Sequence, residues 1–161
     1  MRYFKLLKYS ELNLLKFTRL STLILFLGDI TLAGLFYQRF MEKYPLMLEL
    51  TLKVNHIPKE FIDQNFLDYL EKSFRWTFVA CGSIVLLFHF VVYLSHLKMY
   101  RWAARYLSFL SWCVAIFSLI SIPFCLYLDP VSIPFLLILG PSYLYLALGF
   151  NYFYTKKQTL G

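Results

Sequence analysis

Four apolar stretches, each long enough to cross a lipid bilayer as a helix, occupy most of this 161-residue chain. A membrane-spanning helix needs about 20 apolar residues, because each residue rises ~1.5 Å and the hydrocarbon layer is ~30 Å thick. A soluble protein of this length could not bury an apolar content of 60% in one core. The sequence therefore predicts an all-α integral membrane four-helix bundle, a single transmembrane domain over residues 1–161, with spans at about residues 21–40, 74–97, 106–128 and 131–153.

Two segments outside these spans have an amphipathic pattern. Basic and apolar residues recur at roughly helical spacing in residues 1–20, which predicts an interfacial helix along the membrane surface. Residues 41–73 form the predicted external connection, interrupted by Pro45 and Pro58. Pro58 begins a second helical pattern, whose apolar face leads into the second span. We expect this outer amphipathic segment to pack on its own bundle, on the membrane or on a neighbouring subunit.

The distribution of basic residues predicts the orientation of the chain. Its net charge of +7 would suggest a nucleic-acid partner in a soluble protein, but here the basic residues flank the spans. Ten basic residues lie in the N-terminal segment, the second connection and the C-terminal tail, and six lie in the first connection, where six acidic residues balance them. Because positive charge is retained on the inner side, both termini are predicted to be cytoplasmic. The bias is typical of a bacterial inner membrane, and organelle membranes are the alternative.

An acid and a base interrupt two of the apolar stretches. Asp29 lies ten residues inside Arg19, and His89 lies nine residues from Lys98, so the two side chains fall at similar depths on neighbouring antiparallel spans. We expect them to form an intramembrane polar pair, because an ionisable group in hydrocarbon requires a partner or a function. Their role is interpreted as a structural hydrogen bond, with proton handling as the alternative. Cys113 and Tyr145 are predicted neighbours at the same depth.

Spans three and four carry packing signals. Small residues repeat about every 3.5 residues along span three, at Ala104, Ser108, Ser111, Ala115, Ser118 and Cys125. Such residues let helix backbones approach closely in lipid, so span three is predicted to be the central packing helix. In span four, Gly140 and Pro141 lie near mid-membrane and predict a kink.

Catalytic, metal and cofactor motifs are absent from the sequence. His89 and His96 are two helical turns apart, too far for both to bind one metal ion. The three cysteines form no CxxC pair, although a disulfide between Cys81 and Cys125 is conceivable. No HExxH, GxSxG or glycine-rich phosphate loop occurs, so neither a metal nor a cofactor is expected and enzymatic activity is disfavoured.

Three classes of function fit these features. The first is a non-catalytic subunit or accessory protein of a larger membrane complex, because the chain is short and rich in Phe and Tyr, which suit broad contact with lipids and protein partners. The alternative is a small oligomeric proton- or ion-coupled channel or transporter that uses Asp29 and His89. An integral membrane enzyme acting on lipids is less favoured, because the pair lies far from any headgroup. Expected partners are membrane lipids and other membrane subunits or further copies of the chain, without nucleic acid.

Overall fold

The structure, a computed structural model, describes residue 9, residues 12–56 and residues 63–155. Within these ranges the chain is all α. The elements are α1 (Leu14–Val54), α2 (Gln64–Leu97), α3 (Arg101–Leu128), one 3-10 turn (Pro130–Ser132) and α4 (Ile133–Thr155). All four α-helices are long and apolar enough to cross a membrane. The predicted all-α, four-helix, multi-pass architecture is thus confirmed.

Helix α1 begins before the predicted first span. Residues 14–20 belong to the same continuous helix as that span, whereas the sequence predicted them to be part of a separate interfacial helix. No Gly or Pro interrupts this stretch, and the Thr18 hydroxyl donates a hydrogen bond of 2.9 Å to the Leu14 carbonyl. Phe17 is fully buried, so this turn faces the protein core. Residues 1–8, 10 and 11 of the predicted interfacial helix lie outside the described residues.

The predicted external connection is also largely helical. Helix α1 continues through Pro45 to Val54, contrary to the expectation that Pro45 interrupts the chain. A proline inside a helix costs about 3 kcal/mol, so neighbouring contacts must offset it. Tyr44 is buried beside it, with its ring centroid 5.8 Å from that of Phe74. Residues 57–62, including Pro58, are outside the described part of the chain.

The chain divides into two compact units, which are described separately. Unit 1 contains Met1–Gly28 and Phe90–Gly161, and unit 2 contains Asp29–His89. In unit 1, α3 and α4 pack against each other as neighbours joined by the short 3-10 turn. Small residues bring them close, because a Cβ atom added to Gly140 would lie 3.4 Å from the Cβ of Ser118. Fully or almost fully buried side chains of this unit include Phe17, Leu25, Leu107, Tyr143, Leu146 and Phe150.

A second glycine of unit 1 makes an even closer approach. A Cβ atom added to Gly28 of α1 would lie 2.9 Å from Cε2 and 3.0 Å from Cζ of Tyr143 on α4. Ordinary contacts of a Cβ atom lie at 3.4–4 Å. The Tyr143 ring, which is fully buried, therefore occupies the space that a side chain at position 28 would need.

A tight turn joins α2 to α3 in unit 1. Met99 adopts a left-handed conformation with φ of 63°. Its N–H donates to the His96 carbonyl at 2.8 Å, and the Tyr100 N–H donates to the Ser95 carbonyl at 3.1 Å. These two bonds form a Schellman motif, which satisfies the last carbonyls of α2. As a result, α3 starts at Arg101, immediately after the turn.

Unit 2 is a hairpin of the second part of α1 and the first part of α2. Asp63 precedes α2 and accepts a hydrogen bond from the Asn65 N–H at 3.3 Å, as an N-cap residue does. The two helices meet through aromatic rings: the Phe78 centroid lies 5.1 Å from that of Phe40 and 5.8 Å from that of Tyr37. Large aromatic rings thus hold this hairpin together.

Candidate functional site

Asp29 and His89 form a direct contact inside unit 2. The Nδ1 atom of His89, on α2, lies 2.6 Å from the Oδ2 atom of Asp29, on α1. The side chains are 11% and 9% exposed, respectively. The structure therefore brings together the two residues that the sequence placed at similar depths.

The short distance defines what this pair can do chemically. A separation of 2.6 Å is at the short limit for hydrogen bonds between imidazole and carboxylate, which are strengthened by charge. A hydrogen bond between these atoms requires a proton on Nδ1 or on the carboxyl group. The pair has no net charge when His89 carries both ring protons and Asp29 is ionised. An ion pair without net charge lowers the free-energy cost of placing a carboxylate in hydrocarbon. The same geometry also suits a group that accepts and releases protons.

The two predicted neighbours of the pair, Tyr145 and Cys113, both belong to unit 1. The Tyr145 ring stacks on that of Tyr9 with a centroid distance of 5.0 Å, and its backbone carbonyl accepts a hydrogen bond from the Tyr9 hydroxyl. Burial raises the pKa of Tyr9 to about 12, so this hydroxyl stays a donor even at a pH that ionises an ordinary tyrosine. Cys113 is exposed.

A second buried histidine, His96, was not selected as a site residue from the sequence. It is fully buried in unit 1, and its Nε2 lies 3.1 Å from the Ser21 hydroxyl oxygen. When the Ser21 hydroxyl donates to the Thr18 carbonyl, which lies 3.0 Å away, the matching tautomer of His96 carries its proton on Nε2 and donates to Ser21. Nδ1 is buried without a hydrogen-bond partner in the described part of the chain. The sequence contained a signal for this contact, because Ser21 starts the predicted first span and His96 lies next to the end of the second, antiparallel span.

The small residues of span three lie on α3 as follows. Ala104, Ser111, Ala115 and Ser118 are buried, whereas Ser108 and Cys125 are half-buried. The Ser111 hydroxyl donates a hydrogen bond of 2.7 Å to the Leu107 carbonyl within the same helix. This bond satisfies a polar group that has no access to water. In α4, Gly140 and Pro141 lie inside one continuous helix, and the predicted kink stays a prediction.

Cysteines and metal ligands give no further site in the described ranges. Cys81, Cys113 and Cys125 are all free thiols. Among residue 9, residues 12–56 and residues 63–155, no three His, Cys, Asp or Glu side chains are grouped so that they could hold a metal ion.

Comparison with known proteins gave no relative: no protein-family model, no curated protein and no solved structure matches this chain.

Proposed function

We propose that this protein is a non-catalytic subunit or accessory protein of a larger membrane protein complex. The observation that carries the proposal is an apolar stripe at the far end of α1, formed by Leu46, Met47, Leu50 and Val54. These four side chains are 52–75% exposed. Consecutive members of this stripe are one, three and four residues apart in the sequence, so they lie on one face of the helix.

The length of α1 supports a position for this stripe outside the lipid. The helix has 41 residues, so it extends over roughly 60 Å, whereas the bilayer with its headgroups is about 40–45 Å thick. The predicted first span ends at Phe40, and the stripe begins six residues later. Helix α2 adds Phe66 and Tyr69, which are 53% and 68% exposed, at the same end of the hairpin. Contiguous apolar surface in contact with water marks a protein interaction site.

The charge pattern of the hairpin favours a protein partner over the membrane surface. Helices that lie on membranes carry an excess of Lys and Arg on their polar face. Here six basic and six acidic residues balance each other in the first connection. Some of them pair locally, as Lys53 does with Glu49 at 3.4 Å and Arg75 with Glu71 at 2.8 Å. The occupant that fits is an apolar helix surface of a different membrane protein at the same height above the bilayer.

Unit 2 also has little core of its own. Among its described residues, only Asp29 and Tyr44 are buried. Two helices joined by a few aromatic contacts gain little from tertiary packing, which normally supplies most of the stability of a helix. A partner that covers the apolar stripe would supply the missing contacts.

The proposal is tested by comparing Leu50→Lys with Thr51→Lys, a matched change at the next exposed position of α1. The tagged protein is produced at native levels in cells, and their membranes are extracted in mild detergent. The mass and the subunit stoichiometry of the purified particle are then measured. We expect a companion at fixed stoichiometry in wild type and Thr51→Lys, and its loss in Leu50→Lys. A wild-type protein that purifies alone contradicts the proposal, and so does a homo-oligomer that Leu50→Lys dissociates.

A second candidate function follows from the contact between Asp29 and His89. A carboxylate and an imidazole that share a proton within the membrane suit a small oligomeric channel or transporter coupled to protons or ions. Wild type and Asp29→Asn are reconstituted in liposomes, and proton flux is followed together with oligomeric state. Flux that is lost in the variant while assembly is retained would support conduction. The absence of flux in both proteins would refute it.

The proposed location is the bacterial inner membrane, with both termini in the cytoplasm. Ten basic residues lie in the segments assigned to the inner side, whereas six acidic residues balance the six basic residues of the first connection. This distribution of charge supports the orientation. The apolar stripe would then lie on the external side. Membrane lipids and other membrane subunits are the partners in the first proposal, whereas further copies of this chain are the partners in the channel alternative.

A further inference from the structure

A cleft of about 530 Å³ lies in unit 1, where α3 begins and α4 ends. The residues that line it change from charged to aromatic along α3. Arg101 and Arg105 line one end, and Phe109 and Trp112 lie further along the helix. Since 11 residues separate Arg101 from Trp112, the cleft extends about 16 Å along the helix axis. It is therefore cationic at the helix end and apolar toward the middle of the membrane-spanning segment.

Among the residues that the structure describes, the two arginines have no anionic partner. Within the described residues of unit 1, Asp129 is the single acidic residue, and it lies 28 positions from Arg101 at the opposite end of α3. That corresponds to roughly 42 Å along the helix. Neither guanidinium is in an ion pair with any described residue. The first turn of α3, with its partial positive charge, strengthens the preference for an anion.

Neutral hydrogen-bond donors also line the cleft. Asn151 and Tyr154 lie near the end of α4, and Ser108 lies on α3 between the arginines and the aromatic residues. Arginines four residues apart project from the same face of a helix. Guanidinium groups bind phosphate oxygens through paired hydrogen bonds, and hydroxyl and amide groups can donate to the remaining oxygens.

We propose that this cleft is a binding site for an anionic glycerophospholipid, with Arg101 and Arg105 on its phosphate and Phe109 and Trp112 beside an acyl chain. A soluble phosphate would use the cationic end alone and leave the aromatic part of the cleft without an occupant. A zwitterionic phospholipid also carries a cation, which the two arginines repel. Basic pockets between membrane helices are suited to anionic headgroups for this reason. The site is independent of the apolar stripe, which belongs to unit 2.

The test uses quenching of tryptophan fluorescence by phospholipids with brominated acyl chains. The purified full chain is titrated in detergent with brominated phosphatidylglycerol or with brominated phosphatidylcholine of the same chain length. Trp112→Phe identifies the signal from the cleft, because Trp76 and Trp102 also fluoresce. We expect wild type to prefer the anionic lipid by about ten- to thirty-fold, since two arginines near the phosphate contribute roughly this factor.

Substitutions at the cationic end separate specific binding from general attraction. The double variant Arg101→Gln/Arg105→Gln should lose the preference, whereas Arg101→Lys/Arg105→Lys, which keeps both charges, should retain part of it. Lys98→Gln is the matched control, because this exposed cation is outside the cleft lining, and it should keep the full preference. Equal quenching of wild type by both lipids overturns the proposal, and so does an equal loss in Lys98→Gln and the double glutamine variant. Displacement of the lipid by millimolar glycerol phosphate would assign the site to soluble phosphate instead.

Discussion

The contact between Gly28 and Tyr143 gives a prediction whose size follows from the structure. Gly28→Ala would place a methyl group 2.9 Å from Cε2 of a ring that is fully buried and cannot turn outward. Overfilling a packed core costs about 1–3 kcal/mol. Replacing a helical glycine with alanine returns about 1 kcal/mol through helix propensity. Gly34 is the matched control, because nothing lies within 4 Å of a Cβ atom at that position of the same helix.

The comparison of the two alanine variants isolates the steric cost. Gly34→Ala should be neutral or slightly stabilising, so the two variants should differ by about 1–3 kcal/mol in free energy of unfolding. For a chain of this size that corresponds to a difference of roughly 3–10 °C in Tm. Thermal unfolding in detergent, followed by tryptophan fluorescence, measures it. Tyr143→Phe removes the hydroxyl, the group nearest to the added methyl, and should recover part of the loss in a double variant. Equal Tm values for Gly28→Ala and Gly34→Ala would show that Tyr143 does not pack against Gly28.

Three further predictions concern packing, the intramembrane pair and topology. Ser111→Leu should cost about 1–3 kcal/mol by overfilling a fully buried position, whereas Ser111→Ala should be mild; equal thermal stability of the two would place this face against lipid. Asp29→Leu removes the carboxylate from Nδ1 of His89 and should cost about 1–3 kcal/mol, while Asp29→Asn keeps a hydrogen bond and should retain assembly on size-exclusion chromatography. Reporter tags at residues 1 and 161 should read as cytoplasmic and a tag near Asn55 as external; an external terminus would overturn the orientation.

The sequence was most informative about features that depend on composition over many residues. The apolar runs located four membrane-spanning helices because a helix is the economical way to satisfy backbone groups in lipid. Counting residues along two antiparallel spans placed Asp29 and His89 at similar depths, and the structure joins them at 2.6 Å. Both inferences use regular helix geometry, which local detail does not disturb.

Features that depend on tertiary contacts were harder to predict from the sequence. Pro45 was expected to interrupt the chain, but α1 continues past it where Tyr44 meets Phe74. The bond between His96 and Ser21 was missed, because polar residues near the ends of spans ordinarily face the headgroups. Arg101 was interpreted only as a topology signal, since sequence periodicity contains no information about a cleft between helices. In each case the deciding partner is distant in sequence.

The division of the chain into units has a consequence for its synthesis. Unit 2 is one continuous segment, Asp29–His89, whereas unit 1 combines both ends of the chain. In unit 1 the centroid of the Phe17 ring lies 5.3 Å from that of Phe150 and 4.8 Å from that of Phe153. A growing chain can therefore close unit 2 as soon as residue 89 has left the ribosome, but the beginning of α1 must wait for almost the whole polypeptide. During this interval the Phe17 face is open to the insertion machinery and to membrane proteases, so a nascent chain that stops before α4 is expected to be degraded.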